Sequence, residues 1–189
     1  AYPIPESYWF PLTTSGDWGR VAEAVRPDAR TLAVLQGMSY DAQGGHTGIG
    51  ASGPPPSYEE SRFLAYDALV AGADDLVWYG PNFLDLDVAA DAAYWDELKD
   101  LVTELSGLAR GLAGERRVLD LGRDDVVAAA FAIDNGELVV VVNRTREEQS
   151  VELPLSGTIV DHASGEEAST SVQLGALGVG IYLLSSSEC

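Results

Sequence analysis

The sequence predicts an α/β segment followed by an all-β segment, and three observations carry that division. Two short apolar runs, T-L-A-V-L-Q-G-M-S-Y (31–40) and D-L-V-W-Y-G (75–80), bracket a helical pattern at 57–71. Strand, helix, strand in that order is a βαβ unit, which needs a parallel sheet to sit in. After Gly114 the pattern changes to short strand-like runs at regular spacing, and Asp134-Asn135-Gly136 joins two of them as a hairpin turn. Such a series reads as a small antiparallel sandwich.

Residues 1–19 are rich in Pro, aromatics and Ser/Thr/Gly and read as a loop that follows a strand. Trp9, Phe10 and Trp18 are too many aromatics for a solvated linker, so they pack under a rim or line a pocket. Residues 17–26 suit a short helix with Asp17 near its start and Pro27 closing it. Residues 31–38 have the uninterrupted apolar character of a buried strand. The loop at 41–56 carries glycines at 44, 45, 48, 50 and 53 and three consecutive prolines, Pro54 to Pro56. Loops of this length in compact domains are often functional.

Ser57 opens the next helix, and Glu60 three residues on completes a capping box. Leu64, Ala65, Ala68 and Leu69 give that helix one apolar face, and Gly72 suits its C-cap. The strand at 75–79 follows at once, then a loop at 81–90. A long helix spans 91–113, with Asp91 placed to cap it and Tyr94, Trp95, Leu98, Leu101, Val102, Leu105, Leu108 and Leu112 recurring at helical spacing. Beyond Gly114, strands are expected in the runs at 126–133, 137–144, 150–155, 157–162 and 179–184. The chain thus divides into 1–115 and 116–189, the second part a small domain or a sandwich docked on the first.

The 189 residues are 46% hydrophobic, enough for a packed core and too apolar for global disorder. No apolar run approaches a membrane span, and no signal-peptide pattern opens the chain, so it reads as a processed or partial form of something longer. Thirty acidic residues against 11 basic ones give a formal net charge of −19, and Lys99 is the only lysine. A field of that sign repels nucleic acid and anionic membranes. Because the charge is spread along the whole chain, it fits a salt-adapted, halophilic surface whose self-repulsion is screened. Cys189, the only cysteine, is the last residue, which excludes an intrachain disulfide or a cysteine-based metal site. Asn143-Arg144-Thr145 fits the N-glycosylation pattern and points to a secreted glycoprotein. No phosphate-cradling loop, metal-ligand spacing or nucleophile elbow is present, so neither a cofactor nor a metal is expected.

Four short motifs occur in order: Tyr2-Pro3-Ile4, Gln36-Gly37 at a strand end, Pro56-Ser57-Tyr58-Glu59-Glu60, and Gly72-Ala73-Asp74-Asp75-Leu76-Val77-Trp78-Tyr79. This series resembles the last quarter of the catalytic barrel in clan A glycoside hydrolases. The resemblance implies that residues 31–38 are the seventh strand of a (β/α)8 barrel and 75–79 the eighth, with the β-sandwich following. Residues 1–115 would then be the C-terminal part of a barrel, and two strands cannot close one. A missing N-terminal segment or a partner chain would have to complete it.

Retaining glycosidases use two carboxylates about 5 Å apart. In the resembled family one is a Glu ending the seventh strand and the other a Glu after the fourth. Here Gln36 ends the seventh strand, and an amide can hydrogen-bond a hydroxyl but cannot act as nucleophile or proton donor. Asp41 is the nearest carboxylate and the one catalytic candidate in the chain. Ligands meet parallel α/β folds at the C-terminal ends of strands. Gln36, Tyr40, Trp78 and Tyr79 are therefore the candidate carbohydrate-binding residues, with Trp78 favoured over Tyr79 because a flat ring stacks on the apolar C–H face of a sugar. His46 reads as a surface histidine of the Gly-rich loop, Asp85 and Asp87 as a solvated acidic pair, and His162 as structural. The expected function is part of a secreted, carbohydrate-active protein whose acid/base machinery lies outside this chain, which alone is not expected to hydrolyse glycosides. The alternative is a non-catalytic extracellular surface or filament-type protein built from the same fold, since a bare sheet edge invites pairing with another chain.

Overall fold

The computed structural model describes residues 30–38, 55–81 and 84–185. Two parallel strands, β1 (Leu32–Gln36) and β2 (Asp75–Tyr79), pair in register from Leu32↔Asp75 to Gln36↔Tyr79. Between them runs α1 (Tyr58–Ala71), and after β2 comes α2 (Ala89–Leu112). The remaining strands are β3 (Arg116–Leu119), β4 (Val126–Ile133), β5 (Gly136–Asn143), β6 (Gln149–Glu152), β7 (Ile159–Asp161), β8 (Glu167–Ala168), β9 (Ser171–Leu174) and β10 (Val179–Ser185). They form a six-stranded antiparallel sheet in the order β3-β4-β5-β10-β7-β8, and a second two-stranded sheet of β6 and β9.

Local chemistry accounts for the first helix. The Ser57 hydroxyl accepts from the Glu60 amide and the Glu60 carboxylate accepts from the Ser57 amide, which satisfies two otherwise unpaired N–H groups. Gly72 ends the helix at φ 109°, where a Cβ would be strained. The second helix departs from expectation at its start. Its N-cap is Val88, without a side-chain cap, and Asp91 lies inside the first turn, where it accepts from the Asp85 amide. Val102 is exposed and not part of the buried stripe, which is formed by Tyr94, Leu98, Leu101 and Leu108.

The molecule is layered: β1 and β2, the two helices, the six-stranded sheet, and the small β6–β9 sheet. Alternate residues of the large sheet serve opposite layers, as strand geometry requires. Ala129, Phe131, Leu138, Val140 and Val142 pack on α1 and α2. Val126, Ala128, Ala130, Val139 and Val141 pack with Val151, Leu153, Val172 and Leu174 toward the small sheet. This explains the unbroken V-V-V-V of β5: both of its faces are covered, so neither face is polar. It also explains α1, which is buried on more than the single face its spacing predicts, from Phe63 to Val70.

Arginines bind α1 to the β layers at four points. Arg146 reaches Glu60 at 3.1 Å, Arg144 reaches Asp67 at 2.7 Å, and Arg116 donates to the Val70 carbonyl at 3.0 Å. From α1 itself, Arg62 donates to the Val179 carbonyl at 3.0 Å. Of these, Arg62 and Arg144 are largely covered at the junction, with side chains 22% and 11% exposed, whereas Arg116 and Arg146 reach it from the exposed surface.

Candidate functional site

The site is built on the C-terminal ends of β1 and β2. The Gly37 amide donates to the Tyr79 carbonyl at 2.9 Å, which continues the parallel ladder one residue past Gln36. From α2 the Tyr94 hydroxyl donates to the Gln36 carbonyl at 3.0 Å, fixing the strand end to the helix layer. Burial pushes the Tyr94 hydroxyl up to about 12, so it stays protonated and able to donate. Gly80 follows at φ 92°, and a Cβ there would lie 2.5 Å from the Met38 sulfur. The turn after β2 therefore closes on Met38 only because position 80 is glycine.

Strand alternation sorts the candidates onto two faces. Ala33, Leu35, Leu76 and Trp78 belong to the core against the helices. Gln36 and Tyr79, partners in the register, lie on the opposite face with Val77. Tyr79 is 47% exposed and Val77 44%, whereas Gln36 is 3% exposed. The Gln36 amide nitrogen donates to the Met38 carbonyl at 2.9 Å, which orients the side chain. Its oxygen, Oε1, is buried and accepts no hydrogen bond. That acceptor has no hydrogen-bond donor within the folded chain.

Trp78, expected to be the favoured ring, packs partly buried against the helix core, with its indole nitrogen buried and without a hydrogen bond. Asn143 is 0% exposed, and its amide nitrogen donates to the Glu147 and Gly175 carbonyls, both at 2.7 Å. That nitrogen shapes the turn after β5, and a glycan on it would replace one of the two donated hydrogens and break that bond. Tyr40, Asp41 and His46 lie outside the described residues. Asp85 and Asp87 are bound within their own loop, the Asp87 amide donating to the Asp85 carboxylate.

Sequence reasoning missed a polar cluster behind the strands. Glu104 of α2 accepts from the Tyr58 hydroxyl at 3.0 Å, the Tyr66 hydroxyl at 2.8 Å and two nitrogens of Arg62. The Arg62 guanidinium also lies 5.2 Å from the centre of the Tyr66 ring. Burial acts to raise the Glu104 carboxyl, but the bonds from Arg62 and Tyr66 and the Arg62 charge outweigh it and hold it below the usual range. The cluster borders a cleft of about 460 Å³ against the large sheet, which also meets His162 and Ile181. Its bonds run from α1 to α2 and on to the Val179 carbonyl, so the cluster ties the helix layer to the β-domain.

Comparison with known proteins bears on the fold. A family model for the C-terminal immunoglobulin-like domain of D-apionate lactonase matches residues 123–182. No curated protein matches the sequence. Among solved structures, AmyP in complex with maltose superposes with a TM-score of 0.56 at 17% identity, covering 89% of this chain and 44% of AmyP. An Anoxybacillus alpha-amylase gives 0.59 at 14% identity, with 96% of this chain and 47% of that one covered. The alpha-amylase of Geobacillus thermoleovorans in complex with acarbose gives 0.58 at 14% identity, with 92% and 43% covered. The chain spans less than half the length of these structures. Its fold is that of the C-terminal part of a (β/α)8 barrel followed by a β-domain, as in these amylase structures.

Proposed function

We propose that this chain is part of a carbohydrate-active protein and that Gln36 and Tyr79 form one wall of its sugar-binding cleft. The observation that carries the reading is their shared face at the strand ends, an oriented amide with an unused acceptor beside a half-exposed aromatic ring. A sugar presents both a hydroxyl edge and an apolar C–H face, and these two side chains answer one each. The likeness to amylase-type folds supports the same direction, since AmyP holds maltose in the structure it resembles. Acid/base catalysis is assigned elsewhere, because an amide at position 36 cannot take the place of a carboxylate. We further infer a missing segment or partner chain that supplies the remaining barrel. In support, β1 and β2 pair only with each other among the described residues, and Val77 and Tyr79 face outward on the side a barrel would enclose.

The test is binding to a panel of mono- and oligosaccharides, maltose among them, with wild type and Tyr79→Ala compared. Loss of the stacking ring is expected to weaken binding by about tenfold, the equivalent of roughly 1.4 kcal/mol. Trp78→Ala is expected to lower stability while leaving the affinity per folded molecule unchanged. Binding unchanged in Tyr79→Ala, or absent across the panel, overturns the proposal. In the second outcome the rival is an extracellular structural protein using the strand edges for assembly, a reading favoured by β1 and β2 pairing only with each other among the described residues.

An extracellular, high-salt setting is part of the proposal and rests on the net charge of −19. Several ion pairs are on exposed side chains, as at Arg30–Asp75 and Arg110–Asp134, and offset little of that repulsion. The melting temperature is expected to rise as KCl increases from about 0.1 M to about 2 M, as carboxylate repulsion is screened. A melting temperature independent of salt contradicts this setting.

A further inference from the structure

Asp67 is the one carboxylate in the described structure that is 0% exposed and has an oxygen without a partner. It sits in the middle of α1 and accepts from the Arg144 guanidinium through Oδ1 at 2.7 Å, while Oδ2 is buried and receives no donor. Arg144 follows β5, so the contact joins the helix layer to the β-domain across 77 positions of sequence. We propose that the Asp67–Arg144 contact is a pH-responsive latch between these two parts, easier to open at neutral than at mildly acidic pH.

The two partners are unequally served. The Arg144 side chain keeps 11% exposure and can reach water, whereas the Asp67 side chain has none. Neutralising Asp67 therefore leaves a cation that water can still solvate. Keeping Asp67 charged leaves an anion with one oxygen dry and unbonded. Protonation places a hydrogen on the carboxyl, removes the buried charge, and leaves Oδ1 able to accept from Arg144.

No other charge intervenes. Strands β1, β4 and β10, which pack on α1, carry no charged side chain. The titratable Tyr182 of β10 points to the opposite core. Strand β5 brings Glu137, which is occupied by Arg117. Helix α2 brings Glu104, bound by Arg62 and Tyr66, and Tyr94, bound to the Gln36 carbonyl. Arg116 takes the Val70 carbonyl, and Arg146 takes Glu60.

The direction follows from linkage. Burial raises the Asp67 carboxyl from 3.8 to about 6, against the opposing charge and hydrogen bond of Arg144. The folded chain thus binds more protons than the unfolded chain across that window. The contribution of Asp67 is fully favourable below the window and is lost as pH rises through it. Glu104, Asp125 and Asp161 are held below their usual range and act with the opposite sign, losing stabilisation as pH falls.

The test compares amide hydrogen exchange at about pH 5 and about pH 7.5 in molar salt, with rates corrected for the intrinsic effect of pH. Amides of α1 and of the β5 end are expected to lose protection on going to the higher pH, relative to those of β6 and β9. Asp67→Asn is expected to abolish that difference. An equal change in both sets, or an unchanged difference in Asp67→Asn, overturns the latch. Should the variant fail to fold, the wild-type Asp67 carboxyl carbon, followed by NMR, is expected to titrate near pH 6. Titration in the ordinary carboxylate range overturns the proposal independently.

Discussion

Replacing Glu104 by Ala is expected to destabilise the fold by about 2–4 kcal/mol, near the range for removing one partner of a buried hydrogen-bonded charge and discounted for partial exposure. The Arg62 and Glu104 side chains are about a quarter exposed, so water recovers part of the loss. It cannot recover all of it, because Tyr66 is fully buried and its hydroxyl would lose the Glu104 acceptor. Arg62 would retain its bond to the Val179 carbonyl and lose its counter-charge. Glu104→Gln keeps an acceptor for Tyr66 and should cost less than half as much. Chemical denaturation of the three proteins in molar salt checks this, and equal stabilities would show that the cluster does not hold α1 and α2 to the β-domain. The pH dependence has a defined sign. Since Glu104 is held below its usual range, its stabilisation is complete at neutral pH and is lost as the carboxyl protonates in acid.

Gly114→Ala is expected to cost about 3 kcal/mol, the upper end of the range for overpacking. Gly114 is the joint between α2 and β3, its amide donating to the Gly111 carbonyl at 3.0 Å. A Cβ at this position would fall well inside van der Waals contact with the Ala132 carbonyl oxygen, which is backbone and cannot swing aside. The next residue accepts from the Ala132 amide through the Glu115 carbonyl at 3.0 Å, so relief would require shifting the start of the β3–β4 ladder. Gly107→Ala, on the same helix with open space at its Cβ, serves as the control and should be neutral or stabilising. A melting temperature of Gly114→Ala equal to that of Gly107→Ala would contradict the close approach.

What the sequence made legible was short-range. The Ser57/Glu60 capping box, the Gly72 C-cap and the hairpin at Asp134-Asn135-Gly136 each depend on residues within a few positions, and all three stand in the structure. The βαβ unit was readable for the same reason, its two apolar runs lying close on either side of one helix. Asp67 and Glu104 were not readable as junction residues. A polar residue on a helix looks solvated until its partner is known, and theirs lie 77 and 42 positions away. Strands β3 and β9, R-R-V-L and S-V-Q-L, were missed because an edge strand and a two-stranded cover need few apolar residues. Trp78 shows a further reason. A period of two fixes that Trp78 and Tyr79 face opposite ways but not which of them meets the helices. That phase is set by the packing of Leu35 and Leu76 against α1 and α2. At Asn143 the tripeptide pattern carried no information about burial, which the turn after β5 decides.

In the proposed function, the outward face of the strand ends meets sugar through Gln36 and Tyr79, and Trp78 behind them does not. The most direct measurement is a saccharide titration followed by the side-chain amide resonance of Gln36 and the indole resonance of Trp78 in the nitrogen-15 labelled protein. The Gln36 side-chain amide is expected to shift with saturation as its oxygen gains a hydroxyl donor, while the Trp78 indole stays in place. A saturable shift of the Trp78 indole with Gln36 unmoved, or binding that moves neither, would contradict the account.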